Sequence, residues 1–246
     1  MFHGKQGALF PVKQREGERC KVAGHWDEVY IKKGREDVSW FQTDPRMSLE
    51  LIRECGLSLA AAIVDVGGGA SVLGSRLLAD GFSDVTVLDI AESALAVARD
   101  ELGFTGSTIA ADVREWRPEH RYQLWHDRAV FHFLTAEEDR AAYRRTVDAA
   151  VEPDGWVAVG TFATDGPEQC SGLPTARYDA DTLAAEFSGW DVVDARNEEH
   201  TAPRGMRCSR SLGSCCGATD VSRETADRVS RETSAYLAMT AWTRSR

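Results

Sequence analysis

Three carboxylates end three apolar runs in this chain, and the first run leads straight into three glycines. The segment from Val64 to Ser71 reads Val-Asp-Val-Gly-Gly-Gly-Ala-Ser, with Asp65 two residues before Gly67. Glycines at Gly67, Gly68 and Gly69 let the backbone turn tightly and let a ligand approach main-chain atoms that a Cβ would block. A nicotinamide dinucleotide site needs a third glycine in G-x-G-x-x-G so that the pyrophosphate rests on the helix N-terminus. Counted from Gly67, that position is Val72. A ligand with an amino-acid part and a ribose fits this turn better than a pyrophosphate, and Asp65 is placed to order the loop or meet an ammonium group. Asp89 ends the run Val85–Leu88, 24 residues beyond Asp65. A carboxylate there can accept from both ribose hydroxyls, as it also does in dinucleotide folds. Asp112 ends a third run, where it can accept from an adenine amino group while Val113 packs on the ring.

Parallel strands joined by helices are needed to bring three such tips together. From about residue 60, short β-branched runs alternate with helical patterns, which implies that architecture. The predicted strands are 62–66, 84–89, 107–111, 122–126 and 155–161, with a sixth at 190–198. Helices are predicted over 70–79, 91–102, 136–151 and 179–187, rich in Ala, Leu, Arg and Glu at helical spacing. Gly81, Gly103 and the turn Pro153-Asp154-Gly155 stand where helices should stop. Upstream, Ser48–Gly56 reads as a helix with Ser48 as N-cap, preceded by an aromatic-rich stretch, Trp26–Phe41, that is a candidate lid.

With 246 residues the chain fits one α/β domain plus a short extension. Its 43% hydrophobic and 28% charged residues are ordinary for a globular protein. A net charge of −10 gives no long-range attraction to phosphate backbones or anionic lipid, so neither nucleic acid nor membrane is an expected partner. The longest mostly apolar run, Leu57–Val66, is too short to span a bilayer, and a cytoplasmic location is expected. Six cysteines form no C-x-x-C pair, and His126, His132 and His200 have no partner at a metal-ligand spacing. They read as reduced thiols and structural imidazoles, with no metal expected.

From about His25 to Gly205 the sequence resembles the class I S-adenosylmethionine-dependent methyltransferases. The glycine turn, Asp89 and Asp112 match that family's cofactor motifs, and Leu124–Arg128 matches its fourth-strand motif. More narrowly, His25–Tyr30, Ser39–Gln42 and Trp125–Leu134 resemble a branch containing lysine methyltransferases of elongation factors and citrate synthase. The resemblance implies a Rossmann-like single domain, a mostly parallel twisted sheet with helices on both faces. It implies S-adenosyl-L-methionine as cofactor, held by Trp40, Asp65, Gly67, Gly68, Gly69, Asp89, Ile90, Asp112 and Val113. The acceptor would be a protein lysine or a small molecule.

Methyl transfer is an in-line displacement, so catalysis should come from alignment and water exclusion. Asp127, His126 and Arg128, at the end of the fourth strand, are the acceptor-side candidates. Trp40 and Phe41 would close over the cofactor, and Trp125, Phe131 and His132 would line the acceptor pocket. Competing readings stand beside these. Asp127 can serve only as a cap of the following helix, the aromatic residues can serve only as packing, and Cys170 can be an inert buried thiol. A catalytically silent binding protein and a nicotinamide oxidoreductase are the alternative functions, the latter disfavoured by Val72.

The sheet of the resembled family ends with a long antiparallel strand inserted between the fifth and sixth, and here that strand is in doubt. Cys208–Gly217 has no strand period. Codons for Cys208–Asp220 read one frame away can spell a strand-like peptide. The recurrence of Val221–Thr225 at Val229–Thr233 can be encoded by the palindrome GTTTCACGTGAAAC. The expected division is therefore an extension over 1–24, a methyltransferase domain over 25–206, and an atypical, frameshifted tail over 207–246. Residues 234–242 are the candidate replacement for the missing strand.

Overall fold

The two most apolar β-branched runs become interior strands of the sheet, because strands covered on both faces must be apolar throughout. In the computed structural model, which describes residues 12–38, 40–128, 130–201 and 234–244, β1 spans Ala62–Val66 and is buried along its whole length. β2, Asp84–Asp89, is buried beyond its first residue. Both coincide with their predicted bounds. β3 (Ser107–Ala110), β4 (Tyr122–Arg128) and β5 (Val151–Phe162) complete the parallel part. After the short hairpin of β6 (Gln169–Cys170) and β7 (Leu173–Pro174) come β8 (Trp190–Thr201) and β9 (Ser234–Arg244). The sheet order is β3-β2-β1-β4-β5-β9-β8, with β9 antiparallel to both of its neighbours.

Helices cover both faces. α2 (Arg46–Glu54) and α3 (Leu73–Ala79) pack Leu49, Ile52, Leu73 and Leu77 against Ile63, Val87 and Leu124 on one side. On the other side α5 (Glu137–Ala150) and α6 (Ala180–Glu186) bury Tyr143, Val147 and Leu183 against Val64, Trp125 and Val159. Burial of each large apolar side chain contributes about 1.5–3 kcal/mol, so these two layers dominate the fold's stability. α6 starts with a capping box in which Asp179 accepts from the Thr182 N–H at 2.8 Å.

Several local predictions shift for identifiable reasons. α3 begins at Leu73 and not at Ala70, because Ser71 Oγ accepts the Leu73 N–H at 3.1 Å and holds the preceding residues in a turn. α4 (Glu92–Ala96) passes into a π-helical turn at Val97–Glu101. β5 starts at Val151, four residues before its predicted start, and a bulge absorbs Glu152–Gly155: Tyr122 pairs with Val151, but Leu124 pairs with Trp156. Val12–Lys33 forms one helix, α1, which runs across residue 24.

The missing antiparallel strand is present, supplied by Ser234–Arg244. It pairs with Trp156–Phe162 on one side and with Trp190–Thr201 on the other. The aperiodic run at Cys208–Gly217 and the repeat after Val221 lie outside the described residues. Among the described residues no helix is long and apolar enough to cross a membrane. Because β9 pairs on both sides, its removal leaves two strands with open edges. A chain ending at residue 201 is expected to lose its cooperative thermal transition and to aggregate; a circular-dichroism melt with an unchanged midpoint would show β9 to be dispensable.

Candidate active site

Three successive positions without side chains shape the turn after β1. Gly67 has φ 72°, in the left-handed region, and a Cβ there would lie 2.2 Å from Val130 Cγ2. A Cβ at Gly68 would lie 2.2 Å from Asp65 Oδ2, and one at Gly69 2.6 Å from Ala94 Cβ. The turn is tied to the neighbouring strand. Gly67 N–H donates to Leu88 O at 2.7 Å, and Gly69 N–H donates to Asp89 Oδ2 at 3.1 Å. The other oxygen of Asp89 accepts the Ala91 N–H at 2.9 Å. Burial pushes the Asp89 carboxyl up to about 6, against the pull of those backbone donors.

A cleft of about 530 Å³, open to solvent, lies between this turn and the amino-terminal segment. Its walls include Gly67, Gly68, Asp65, Tyr30, Trp40, His126 and Arg128, so the structure gathers six of the predicted site residues around one space. Trp40 is held by its Nε1–H, which donates to the Tyr30 hydroxyl at 3.3 Å, and by edge-to-face contact with Trp26 at 5.6 Å. Arg128 Nη1 donates to the Trp40 carbonyl at 3.2 Å. Asp27 on α1 accepts from the Ser93 N–H at 3.0 Å and hydroxyl at 2.6 Å, which fastens the aromatic segment over the start of α4. Burial and the charge of Asp89 raise the Tyr30 phenol far above its ordinary range, so it stays protonated.

Alternation along β4 divides its candidates between two environments. His126 and Arg128 face the cleft. Asp65 stands opposite His126 in the strand register, and His126 Nδ1 lies 2.7 Å from Asp65 Oδ1 while Nε2 lies 2.9 Å from Ser48 Oγ. Asp65 Oδ2 is buried and finds no hydrogen-bond partner among the described residues. An acceptor left in that state costs about 1–3 kcal/mol, a deficit that a ligand's donor would remove. Asp127 faces the other way and is 0% exposed. It accepts the Val130 N–H at 2.8 Å, the Phe131 N–H at 3.1 Å and the Tyr143 O–H at 2.6 Å, so it caps the turn Phe131–Phe133 and anchors α5. Trp125 and Phe131, expected to line the pocket, are instead fully buried in the core on Asp127's side, where Trp125 Nε1 donates to the Tyr143 hydroxyl at 2.8 Å.

Farther along the sheet, Ala111 N–H donates to the Asp89 carbonyl at 2.9 Å, which places Asp112 and the buried Val113 just beyond Asp89 and Ile90. Arg114 engages both oxygens of Asp112, with Nη2 2.6 Å from Oδ2, and also reaches Asp139 at 2.9 Å. Sequence reasoning missed that partner, although its position two residues on was visible. It also missed Tyr30 and assigned Ser48 only to capping; α2 has no side-chain cap, and its N-cap residue is Pro45. His132 stacks on Phe162 with ring centroids 4.4 Å apart, and burial together with Arg128 pushes its imidazole down to about 3, so it is neutral. Among the described residues no three potential metal ligands come together.

Comparison with known proteins follows the same residues. Residues 63–155 match the model of a methyltransferase domain family. The sheet order with its reversed penultimate strand decides the fold. The sheet has the Rossmann-like fold of the solved methyltransferases. The chain is similar to mouse EEF1A lysine methyltransferase 2, at 24% identity over 58% of this chain and 67% of that protein. In structure it is similar to a SAM-dependent methyltransferase from Anabaena variabilis, with TM-score 0.67 and 12% identity over 93% and 95% of the two chains. It is also similar to the 1,6-didemethyltoxoflavin-N1-methyltransferase of Burkholderia thailandensis, solved with S-adenosylhomocysteine, with TM-score 0.60 and 18% identity over 98% and 94%.

The setting of Asp127 gives a signed pH dependence. Burial raises it from 3.8 to about 6, so the folded state binds its proton more tightly than the unfolded chain does. That contribution to stability is present at low pH and is lost as pH rises through about 6. Asp127→Asn cannot accept from all three donors and should cost about 2 kcal/mol at pH 7. Because Asn has no proton to gain, the deficit should widen as pH falls from 7 to 5. Urea titrations at the two pH values check this, and a constant or shrinking deficit would contradict the assigned burial.

Proposed function

We propose that this protein transfers a methyl group from S-adenosyl-L-methionine to an amine, either a protein lysine side chain or the nitrogen of a small molecule. The observation that carries the proposal is the succession of Asp65 on β1, Asp89 at the end of β2 and Asp112 two residues beyond β3 along three adjacent parallel strands, with Asp65 and Asp89 against a turn too tight for side chains. The residues fit the cofactor. Asp89 offers lone pairs to two ribose hydroxyls while its backbone bonds keep the carboxylate fixed, and Asp65 Oδ2 awaits a donor of the kind an α-amino group supplies. Val113 and Ile90 provide apolar surface for a purine, and Asp112, oriented by Arg114, provides an acceptor for an exocyclic amine. When bound, the cofactor supplies an electrophilic methyl on a positively charged sulfur.

The chain's own contribution is to position and to exclude water. Tyr30 and Trp40 wall the cleft on the α1 side, and Arg128 holds the Trp40 backbone. The rings of Trp26, Trp40, Phe133 and His132 gather near the ends of β4 and β5, a setting that strips water from an incoming amine and favours cationic character beside aromatic faces. Asp127 supports this wall from behind through the turn that carries His132 and Phe133. The likeness to EEF1A lysine methyltransferase 2 supports the amine class, and the likeness to a 1,6-didemethyltoxoflavin-N1-methyltransferase keeps small molecules within it.

Calorimetry with S-adenosylhomocysteine tests the reading. The wild type should bind, and Asp89→Ala should weaken binding by roughly 10- to 100-fold, as expected for losing hydrogen bonds to a charged acceptor. An unaltered affinity in that variant, or preferential binding of a nicotinamide dinucleotide by the wild type, would overturn it.

A further inference from the structure

Ser48, His126 and Asp65 form a buried chain along the floor of the cleft, and each comes from a different element: α2, β4 and β1. All three are at most 2% exposed. With a carboxylate oxygen 2.7 Å from Nδ1, that nitrogen carries the proton and donates to Asp65 Oδ1. In the neutral ring Nε2 is then an acceptor, and the Ser48 hydroxyl donates to it at 2.9 Å. The two oxygens of Asp65 are thereby given different duties. Oδ1 is committed to the imidazole, while Oδ2 lies under Gly68 with no partner among the described residues. Among those residues, His126 is the sole side-chain hydrogen-bond partner of Asp65.

We propose that Ser48 and His126 are positioning residues that lock the Asp65 carboxylate so that Oδ2 is presented to the primary ammonium of an amino-acid-bearing nucleoside ligand. The pairing makes ammonium recognition a property of α2 and β4 as well as of the glycine turn. It rests on the methyl-donor reading above. Without the imidazole, the carboxylate is free to rotate about its Cα–Cβ and Cβ–Cγ bonds and to lose its aim. A purely structural tie between α2 and the sheet would affect every ligand of the cleft alike, whereas an aiming device affects only ligands that carry the ammonium.

Two ligands separate these outcomes by calorimetry: S-adenosylhomocysteine, which carries the amino-acid group, and 5′-methylthioadenosine, which lacks it. His126→Gln places its amide near the Nε2 position and gives up the bond to Asp65, whereas His126→Asn keeps a donor near the Nδ1 position. His126→Gln should weaken S-adenosylhomocysteine by about 10-fold, the loss of one charge-assisted bond, and leave 5′-methylthioadenosine within about two-fold. His126→Asn should restore most of the lost affinity. Asp65→Asn, nearly isosteric, should reproduce the selectivity of His126→Gln even if the latter folds poorly by circular dichroism. Equal weakening of both ligands, or of neither, in His126→Gln and Asp65→Asn overturns the proposal. A wild type that binds neither nucleoside overturns the methyl-donor reading itself, and this inference with it.

Discussion

The absence of room for a Cβ at three consecutive residues is the constraint on which this molecule's site depends. Gly67, Gly68 and Gly69 bring the backbone within reach of Val130, Asp65 and Ala94, at separations no side chain could share. That close approach lets Asp89, on the next strand, accept the Gly69 N–H and so fuse two strand ends into one rim. A carboxylate that closes a backbone turn in a buried setting is fixed before any ligand arrives. Fixed dipoles and charges bind without reorganisation, which is where a site of this kind gains affinity.

The second organising feature is the two-sidedness of β4. His126 and Arg128 belong to the cleft, while Trp125 and Asp127 belong to a buried chain in which indole donates to phenol and phenol donates to carboxylate. Neighbouring residues thus do unrelated work. Asp127 spends both oxygens on the turn and on α5, and this turn sets the place of His132 and Phe133 against Phe162. The acceptor-side wall is therefore held by the core, and its aromatic groups reach across to Trp26 on α1.

Much of this was legible in the residues. β1 and β2 follow their apolar runs because a strand buried on both faces admits little else, and the carboxylates at their tips were readable as the ends of those runs. Asp127 beside His126 was not separable by type; only the face each side chain takes distinguishes a cap from a cleft residue. Arg114 could be seen two residues from Asp112, but its bidentate grip depends on a local turn that spacing does not specify. The closing strand was the hardest element, since 32 residues separate β8 from β9 and the pairing is wholly non-local. α1 lacked a clear apolar stripe, and the aromatic residues that suggested a lid lie partly on that helix and partly after it.

A crystal structure grown with S-adenosylhomocysteine tests the central claim most directly. The account predicts the ligand across Gly67–Gly69, with its ribose hydroxyls on Asp89 and its amino group against Asp65 Oδ2. A ligand seated elsewhere, or one that leaves Asp65 and Asp89 untouched, would contradict it.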